Sequence, residues 1–335
     1  MILISFILPV FGVEKYIAAC LDSIYAQDLS EEDYEVICVN DASPDHSRDI
    51  VLEFRKKHPN LVLVEHDVNK KLGGARNTGL RMAKGRYIWF VDTDDIISTS
   101  NATSLIISVC EQNQLDILCF NYTILGNDGE IKDNCFRREM PVMTGLSFIK
   151  SQFGKELVFH MGYVWRAVYK RSLLLQNDIW FIENLPWGED TTYMMRAIAK
   201  ADRVSATSDA LYCYRQTESQ ITARLYEGKG ELIYYSTIYT GEMIVRWRNE
   251  VAEKSISIAE SLDWGLPWFV HRLFIRLIKT SHKQRLAFYS LARKTPPSKS
   301  LRHYMNLQDK IIVNFPLLGL VILDLLSVAY RIKHA

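Results

Sequence analysis

Apolar residues recur with two different periods along the first third of the chain. Ile2 to Leu8 is an almost unbroken apolar run ending at Pro9, which reads as a strand buried on both faces. Ile17, Cys20, Leu21 and Ile24 then fall at helical spacing. Val36 to Val39 is a second run, ending in Asn40-Asp41. Ser43-Pro44 reads as an N-cap with proline at the first helical position, and Ile50, Val51 and Phe54 supply that helix's apolar face. Leu61 to Val64, Tyr87 to Val91 and Asp116 to Phe120 are further strand-like runs. Strands alternating with helices predict an α/β fold, a mostly parallel sheet flanked by helices. Ligands of such sheets bind beyond the carboxyl ends of the strands, so the polar residues after each run carry the interest.

From Asn121 to Gly188 the pattern is less regular and rich in rings: Tyr163, Trp165, Tyr169, Trp180, Phe181 and Trp187. Such rings either face a sugar or fill a core. The last third is helical in pattern, with Gly228 and Gly230 preceding Tyr234, Ile238, Met243, Ile244 and Trp247. Pro296-Pro297 marks a linker. Ile311 to Tyr330 is nearly all apolar, broken by Asn314, Pro316 and Asp324.

With 335 residues, 48% of them hydrophobic, the chain can build one large domain or two smaller ones. Forty basic and 39 acidic residues leave a formal charge of +1, so no whole-molecule field draws it to nucleic acid. The cysteines Cys20, Cys38, Cys110, Cys119, Cys135 and Cys213 include no C-x-x-C pair, which argues against structural zinc and for buried, reduced thiols in a cytoplasmic protein. The first residues lack a basic stretch before the apolar run and read as a strand rather than an export signal, which keeps the catalytic part inside the cell.

The sharpest chemical signal is Asp92-Thr93-Asp94-Asp95, directly after the run Tyr87 to Val91. Carboxylates at a strand end can hold a divalent cation bridging two phosphate oxygens, or can cap a helix. Two more polar segments keep it company: Asn40-Asp41-Ala42-Ser43-Pro44-Asp45 after the second run, and Gly73-Gly74-Ala75-Arg76-Asn77-Thr78-Gly79 opening a helix before the fourth. Arg76 suits a phosphate; the glycines either admit a ligand to the backbone or make a turn. Gly188-Glu189-Asp190 follows the aromatic stretch and is either acidic catalytic machinery or a helix start that suits the dipole.

In their order these segments resemble a family 2 glycosyltransferase with the GT-A fold, of the kind that builds bacterial surface polysaccharides. The resemblance rests on Pro9-Val10-Phe11, Leu21-Asp22-Ser23-Ile24-Tyr25-Ala26-Gln27, Asn40 to Asp45, Ala75 to Gly79, Asp92 to Asp95 and Gly188 to Asp190, and covers roughly the first two thirds of the chain. It implies an inverting transferase that passes a sugar from a UDP-sugar to a hydroxyl of a glycan or lipid-linked acceptor, with Mn²⁺ or Mg²⁺. Pro9 and Phe11 would line the nucleotide pocket and Asp41 would accept from the base. Arg76 would lie near the base or diphosphate. Asp92 would contact the ribose or a metal-bound water, with Thr93 beside it, and Asp94 would hold the metal together with Asp92. Asp190 would be the general base, with Glu189 its rival. Residues 1–222 would form the catalytic domain, divided into a nucleotide half 1–122 and an acceptor half 123–222, followed by a helical region 223–335.

Three positions depart from that pattern: Gly12 replaces a frequent Asn, Ala42 a usual Gly, and Lys71 a frequent Gly. Tyr212 to Ser219 resembles the segment that closes over the diphosphate, where some relatives carry a metal-binding His; here Arg215 either meets the phosphate or makes a surface ion pair. The apolar stretch 311–330 lies between basic residues, among them Arg293, Lys294, Lys299, Arg302, Lys310, Arg331 and Lys333. That suits a peripheral helix on the cytoplasmic face of the cell membrane, or a helix packed on the catalytic domain. A nucleotidyltransferase lacks a use for Gly188 to Asp190, and a binding domain without turnover has no need of Asp92, Asp94 and Asp190.

Overall fold

The computed structural model describes residues 1–126, 129–133, 139–152, 162–183, 188–216, 238, 240–252, 277, 282–294, 297–314, 319, 321–323 and 326–327. Expectations resting on Cys135, Trp187, Thr217 to Ser219, Gly228, Gly230, Tyr234, Pro296, Pro316, Asp324, Arg331 and Lys333 lie outside them. The chain forms two compact units. One comprises Met1–Gln152, Leu157–Leu185 and Glu189–Gln216; the other comprises Thr217–Ala335 with Phe153–Glu156 and Pro186–Gly188.

The first unit is a sheet flanked by helices. Its strands are β1 (Ile4–Val10), β2 (Tyr34–Asn40), β3 (Leu61–Glu65), β4 (Tyr87–Phe90), β5 (Ile96–Ile97), β6 (Ile117–Leu125), β7 (Ile131–Asp133), β8 (Met140–Met143), β9 (Ala167–Lys170) and β10 (Val204–Arg215). Its helices are α1 (Ile17–Tyr25), α2 (Ser47–Lys57), α3 (Lys71–Met82), α4 (Ala102–Gln112), α5 (Gly145–Gln152), α6 (Arg171–Gln176) and α7 (Glu189–Lys200). The strand order is β3-β2-β1-β4-β9-β6-β10-β5, with β7 beside β6 and β8 beside β10. β3, β2, β1 and β4 run parallel. Beyond them β9 is antiparallel to both β4 and β6, while β6 and β10 are parallel. The α/β expectation holds, with the parallel part confined largely to the first hundred residues.

β1 and β2 are buried along their whole length, which is why both read as continuous apolar runs. β1 runs through Pro9 to Val10 rather than stopping at it. A proline inside a central strand normally costs a ladder bond. Here β4 pairs β1 only as far as Ile7–Phe90, so no strand partner waits for the missing N–H. On that side the Thr93 hydroxyl donates to the Pro9 carbonyl at 2.8 Å. The cysteines Cys20, Cys38, Cys110, Cys119 and Cys213 are all buried.

Two local expectations change. Ser43-Pro44 does not start α2, which begins at Ser47. The Ser43 hydroxyl is engaged by the Gly12 N–H at 2.8 Å, and the Asp45 carboxylate instead accepts the Ser47 N–H at 3.1 Å. Gly73 and Gly74 do not form a turn before α3 but lie inside it, because the helix starts at Lys71. A Cβ on Gly73 would stand 2.9 Å from the Ile182 carbonyl, and one on Gly79 would stand 2.4 Å from the Ile7 side chain. These glycines let α3 press against β1 and against the segment before α7.

In the second unit the helices Thr240–Ala252, His282–Lys294, Lys299–Tyr304 and Leu307–Asn314 are described. Val245, Trp247, Phe288, Tyr289, Leu301 and Tyr304 are buried there. Ser298 caps the third of these helices through the Leu301 N–H and holds the Glu242 carboxylate. Among the described residues no helix is long and apolar enough to cross a membrane.

Candidate active site

The turn after β4 carries the acidic run. Thr93 is buried and tied to Pro9, and the Asp95 N–H bonds back to the Asp92 carbonyl at 3.0 Å, closing the turn. The Tyr212 hydroxyl accepts from the Asp92 N–H at 3.0 Å. Asp95 is buried: one carboxylate oxygen accepts the Arg215 N–H at 2.8 Å and the other has no hydrogen-bond partner. Burial, and then the charges of Asp94 and Asp92, hold the Asp95 carboxyl well above the usual carboxylate range. Arg215 closes the turn from the end of β10. Its Nε donates to the Asp94 carbonyl at 3.0 Å and its guanidinium lies over the Tyr16 ring at 5.6 Å. Among the described residues no group of three or more His, Cys, Asp and Glu is arranged to hold an ion. Asp92 and Asp94 are carboxylates at one turn, oxygen ligands of the type that Mg²⁺ and Mn²⁺ take, so the residues fit such an ion in chemistry though not in arrangement.

A second cluster forms at the ends of β1 and β2. Asp41 is buried; its Oδ1 accepts from the His66 ring at 2.7 Å and from the Lys70 N–H at 2.8 Å. Phe11, half exposed, follows β1 as Asp41 follows its parallel partner β2, and is itself followed by Gly12 at φ +68°. The three departures from the family pattern share one property. Gly12, Ala42 at φ +56° and Lys71 at φ +66° all adopt the left-handed conformation, which Gly and Asn tolerate best. Ala42 and Lys71 therefore carry backbone strain that glycine would not.

The third cluster joins distant parts of the sequence. Arg76, on α3, is fully buried. Its Nη2 donates to Asp92 at 2.7 Å, and its Nη1 reaches Asp190 and, at 3.5 Å, Glu189. The guanidinium of Arg76, expected near the base or diphosphate, is enclosed among three carboxylates, Asp92 on one side and the first turn of α7 on the other. Burial and the neighbouring Asp190 push the Glu189 carboxyl up to about 8, with Arg76 opposing. Asp190 is raised as well, by burial and by Asp92, again against the pull of Arg76. Its second oxygen accepts from the Val164 N–H at 3.4 Å. The two side chains keep 12% and 16% of their surface exposed, so they line a cleft rather than a sealed core.

Among the aromatic residues, Trp165, Tyr169 and Phe181 are buried and pack in the core. Trp165 stacks on Tyr212 at 4.4 Å, and Phe181 on Tyr193 at 3.8 Å. Tyr163 and Trp180 remain partly exposed. Sequence reasoning named Asp95 only as part of the acidic run and Tyr212 only as the start of the segment 212–219, and it gave no role to His66. His66 gave no signal, since only the fold brings it to Asp41.

Comparison with known proteins bears on family and fold. The chain is 33% identical over 225 residues to the Bacillus subtilis uncharacterized glycosyltransferase EpsJ, covering 67% of this chain and 64% of that protein. It is 36% identical over 212 residues to a poly(ribitol-phosphate) beta-glucosyltransferase of Bacillus spizizenii, covering 63% of this chain but 32% of that protein. The chain thus spans from a third to somewhat under two thirds of these relatives' lengths. In fold it is similar to residues 1–349 of Staphylococcus aureus TarS in complex with UDP-GlcNAc, with a TM-score of 0.71, 22% identity, and coverage of 99% of this chain and 92% of that one. A Pyrobaculum calidifontis mannosyltransferase in complex with GDP-Man and Mn²⁺ is similar too, with a TM-score of 0.53, 16% identity, and coverage of 98% and 86%. The model of the Glycosyl transferase family 2 matches residues 5–175, about half of the sequence, and this chain belongs to that family.

Proposed function

We propose that the chain is an inverting glycosyltransferase that moves a sugar from a UDP-sugar to a hydroxyl of a glycan or lipid-linked acceptor of the cell surface. The observation that carries this reading is the Arg76 bridge, which spans from the strand-end carboxylate Asp92 to the pair Glu189 and Asp190. One cation thus sets donor-side and acceptor-side acids in a single cleft. Relatives named for sugar transfer to poly(ribitol-phosphate) support an acceptor that is a polymer bearing free hydroxyls.

In this reading Pro9 and Phe11 flank the nucleobase and Asp41 accepts from it. Thr93 fixes the turn that carries Asp92 and Asp94. Those two carboxylates would hold Mn²⁺ or Mg²⁺, which supplies positive charge to the leaving diphosphate. Arg215 sits at the same turn and faces the phosphate side. Asp190 takes the proton of the acceptor hydroxyl. The freed oxygen attacks the anomeric carbon, and the bond from that carbon to the diphosphate breaks with its electron pair leaving on the UDP. A carboxyl raised toward neutrality is a better base than an ordinary aspartate, and a positioned base gives about 10²–10⁴-fold. Glu189 shares the Arg76 counter-charge and stays protonated over part of the neutral range, which spares Asp190 a second adjacent anion.

The same reading assigns the apolar, basic-flanked stretch 311–330 to the cytoplasmic face of the cell membrane, bound peripherally. Removing the residues after Pro297 is expected to shift the protein from the membrane to the soluble fraction. For the activity itself, the full chain is incubated with UDP-glucose, UDP-GlcNAc or GDP-mannose, Mn²⁺ and a poly(ribitol-phosphate) acceptor. UDP release that needs the acceptor is expected. Release of GDP alone, or none with any donor, contradicts the proposal.

A further inference from the structure

The fold does not choose the nucleobase. Among its structural neighbours, one is in complex with UDP-GlcNAc and another with GDP-Man. The choice has to come from side chains at the ends of β1 and β2, and His66 is the unused group there. It is 9% exposed and sits between two elements. Its Nδ1 meets Asp41 Oδ1 at 2.7 Å and its Nε2 meets the Thr78 hydroxyl, on α3, at 2.9 Å. A carboxylate only accepts, so Nδ1 carries the hydrogen, and a neutral ring then accepts the Thr78 hydroxyl hydrogen at Nε2.

The consequence lies in the lone pairs of Asp41. A carboxylate oxygen has about two acceptor positions. Oδ1 fills both, one with the His66 ring N–H and one with the Lys70 backbone N–H at 2.8 Å. The described residues give Oδ2 no partner. Asp41 therefore meets a ligand with one oxygen, not two. Uracil presents a single imide N–H flanked by two carbonyls, which a single acceptor oxygen satisfies. Guanine presents N1–H and an N2 amino hydrogen side by side, a pair that matches both oxygens of an open carboxylate. Against Asp41 as it is held here, one guanine donor would be left unpaired on leaving water, which disfavours GDP.

We infer that His66 is a positioning residue that locks Oδ1 of Asp41 and thereby makes the site select uracil over guanine nucleotides. This rests on the reading in which Asp41 meets the nucleobase of a nucleotide-sugar donor. His66 touches no substrate; it acts through Asp41, with Thr78 holding the ring from behind.

The test is calorimetric titration of the full chain with UDP and with GDP, both in excess Mn²⁺, for wild type, His66→Leu, His66→Gln, Thr78→Val and Asp41→Asn, each checked for folding by its melting curve. Wild type is expected to bind UDP at least about tenfold more tightly than GDP, the equivalent of about 1.4 kcal/mol. His66→Leu keeps bulk but frees one acceptor position of Oδ1, and is expected to cut the UDP-to-GDP preference to about one tenth. His66→Gln, whose amide can still donate, is expected to restore most of it. Thr78→Val shifts the preference the same way by a smaller factor, and decides the matter should His66→Leu not fold. A role in stability alone would weaken both nucleotides equally. An unchanged preference in the folded His66→Leu or Thr78→Val protein overturns the inference, as does a wild type that binds GDP as well as UDP. Asp41→Asn separates the two claims. Should it leave UDP affinity untouched, the reading of Asp41 as the base contact falls, and the inference with it. Should it weaken UDP while the His66 and Thr78 variants keep the wild-type preference, only the inference falls.

Discussion

The donor side and the acceptor side of the catalytic unit hold their acids by opposite means. On the donor side the Asp41 and Asp45 carboxylates accept from neutral groups, among them the Lys70, Glu14 and Ser47 N–H, and Asp95 accepts the Arg215 N–H, while Asp92 accepts from the Arg76 guanidinium. On the acceptor side Glu189 and Asp190 are steadied by Arg76, more than a hundred residues away. Asp45 shows what the first arrangement does: although burial opposes it, hydrogen bonds from Ser43, Ser47 and the Glu14 N–H lower its carboxyl to about 2. Glu189 shows the second, raised to about 8 by burial and its neighbour Asp190 despite the arginine. The two differ in what surrounds the charge: Asp45 has several donors to itself, whereas Glu189 and Asp190 share a single arginine with Asp92.

Removing Arg76 breaks the comparison most severely. Arg76→Met keeps the bulk but leaves Asp92, Glu189 and Asp190 without their shared cation. Loss of one partner of a buried ionic cluster costs about 3–5 kcal/mol. Thermal or urea unfolding of the variant at neutral pH is expected to show that loss, and to recover part of it at pH 5, where Glu189, raised to about 8, carries a proton. A variant as stable as wild type at pH 7.5 would mean that the carboxylates are relieved in another way.

On the donor side, Asp94→Ala is expected to keep the fold and lose about 10²–10³-fold in turnover, the scale for removing one element of charge stabilisation at a leaving group. Chelation by EDTA should mimic it, and Mn²⁺ should rescue the wild type but not the variant. Full turnover in chelator would remove the cation from the account.

The sign of the pH dependence sharpens the contrast. An unfolded glutamate releases its proton near pH 4–5, about its reference value, whereas folded Glu189 holds it up to about 8. Between those values the folded state binds more protons, so stability falls as pH rises through that window. Glu189→Gln removes this term. Relative to wild type it is expected to gain up to about 4 kcal/mol at pH 8.5 compared with pH 5, about 1.4 kcal/mol for each pH unit between 5 and 8. Melting temperatures across that range check it; parallel curves for the two proteins would contradict the raised carboxyl.

The smallest effect belongs to the two strained positions on the donor side. Ala42→Gly and Lys71→Gly relieve a left-handed φ at the expense of chain entropy, for a net gain of roughly 0.5–1 kcal/mol each. A loss of stability in both variants would show that the strain is compensated by contacts of the Ala42 and Lys71 side chains.

The same contrast explains what the sequence disclosed. β1, β2 and β4, the polar segments after them and the α/β class were legible because burial on both faces leaves apolar runs and strand ends leave acids in fixed order. The start of α2 was misread because Ser43 resembles a cap in isolation but is spent on Gly12. The glycines of α3 resembled a turn because their reason, the close approach of Ile182 and Ile7, lies far off in sequence. Arg76 was legible as a cation at the site but not as the counter-ion of Asp190, since pairing across 114 residues leaves no local pattern. His66 was silent for the same reason, and Tyr212 was legible as part of its segment but not as the partner of the Asp92 N–H.

The central claim is that the two sides divide the work, the donor side binding and the acceptor side supplying the base. Asp190→Asn tests it most directly, because the amide keeps the shape and a hydrogen bond to Arg76's surroundings while removing basicity. Kd for the UDP-sugar and kcat are measured on the same folded protein. The account predicts kcat down by about 10²-fold or more with Kd within about twofold of wild type. Normal turnover by Asp190→Asn, with Glu189→Gln also normal, would contradict it and move the base elsewhere in the chain.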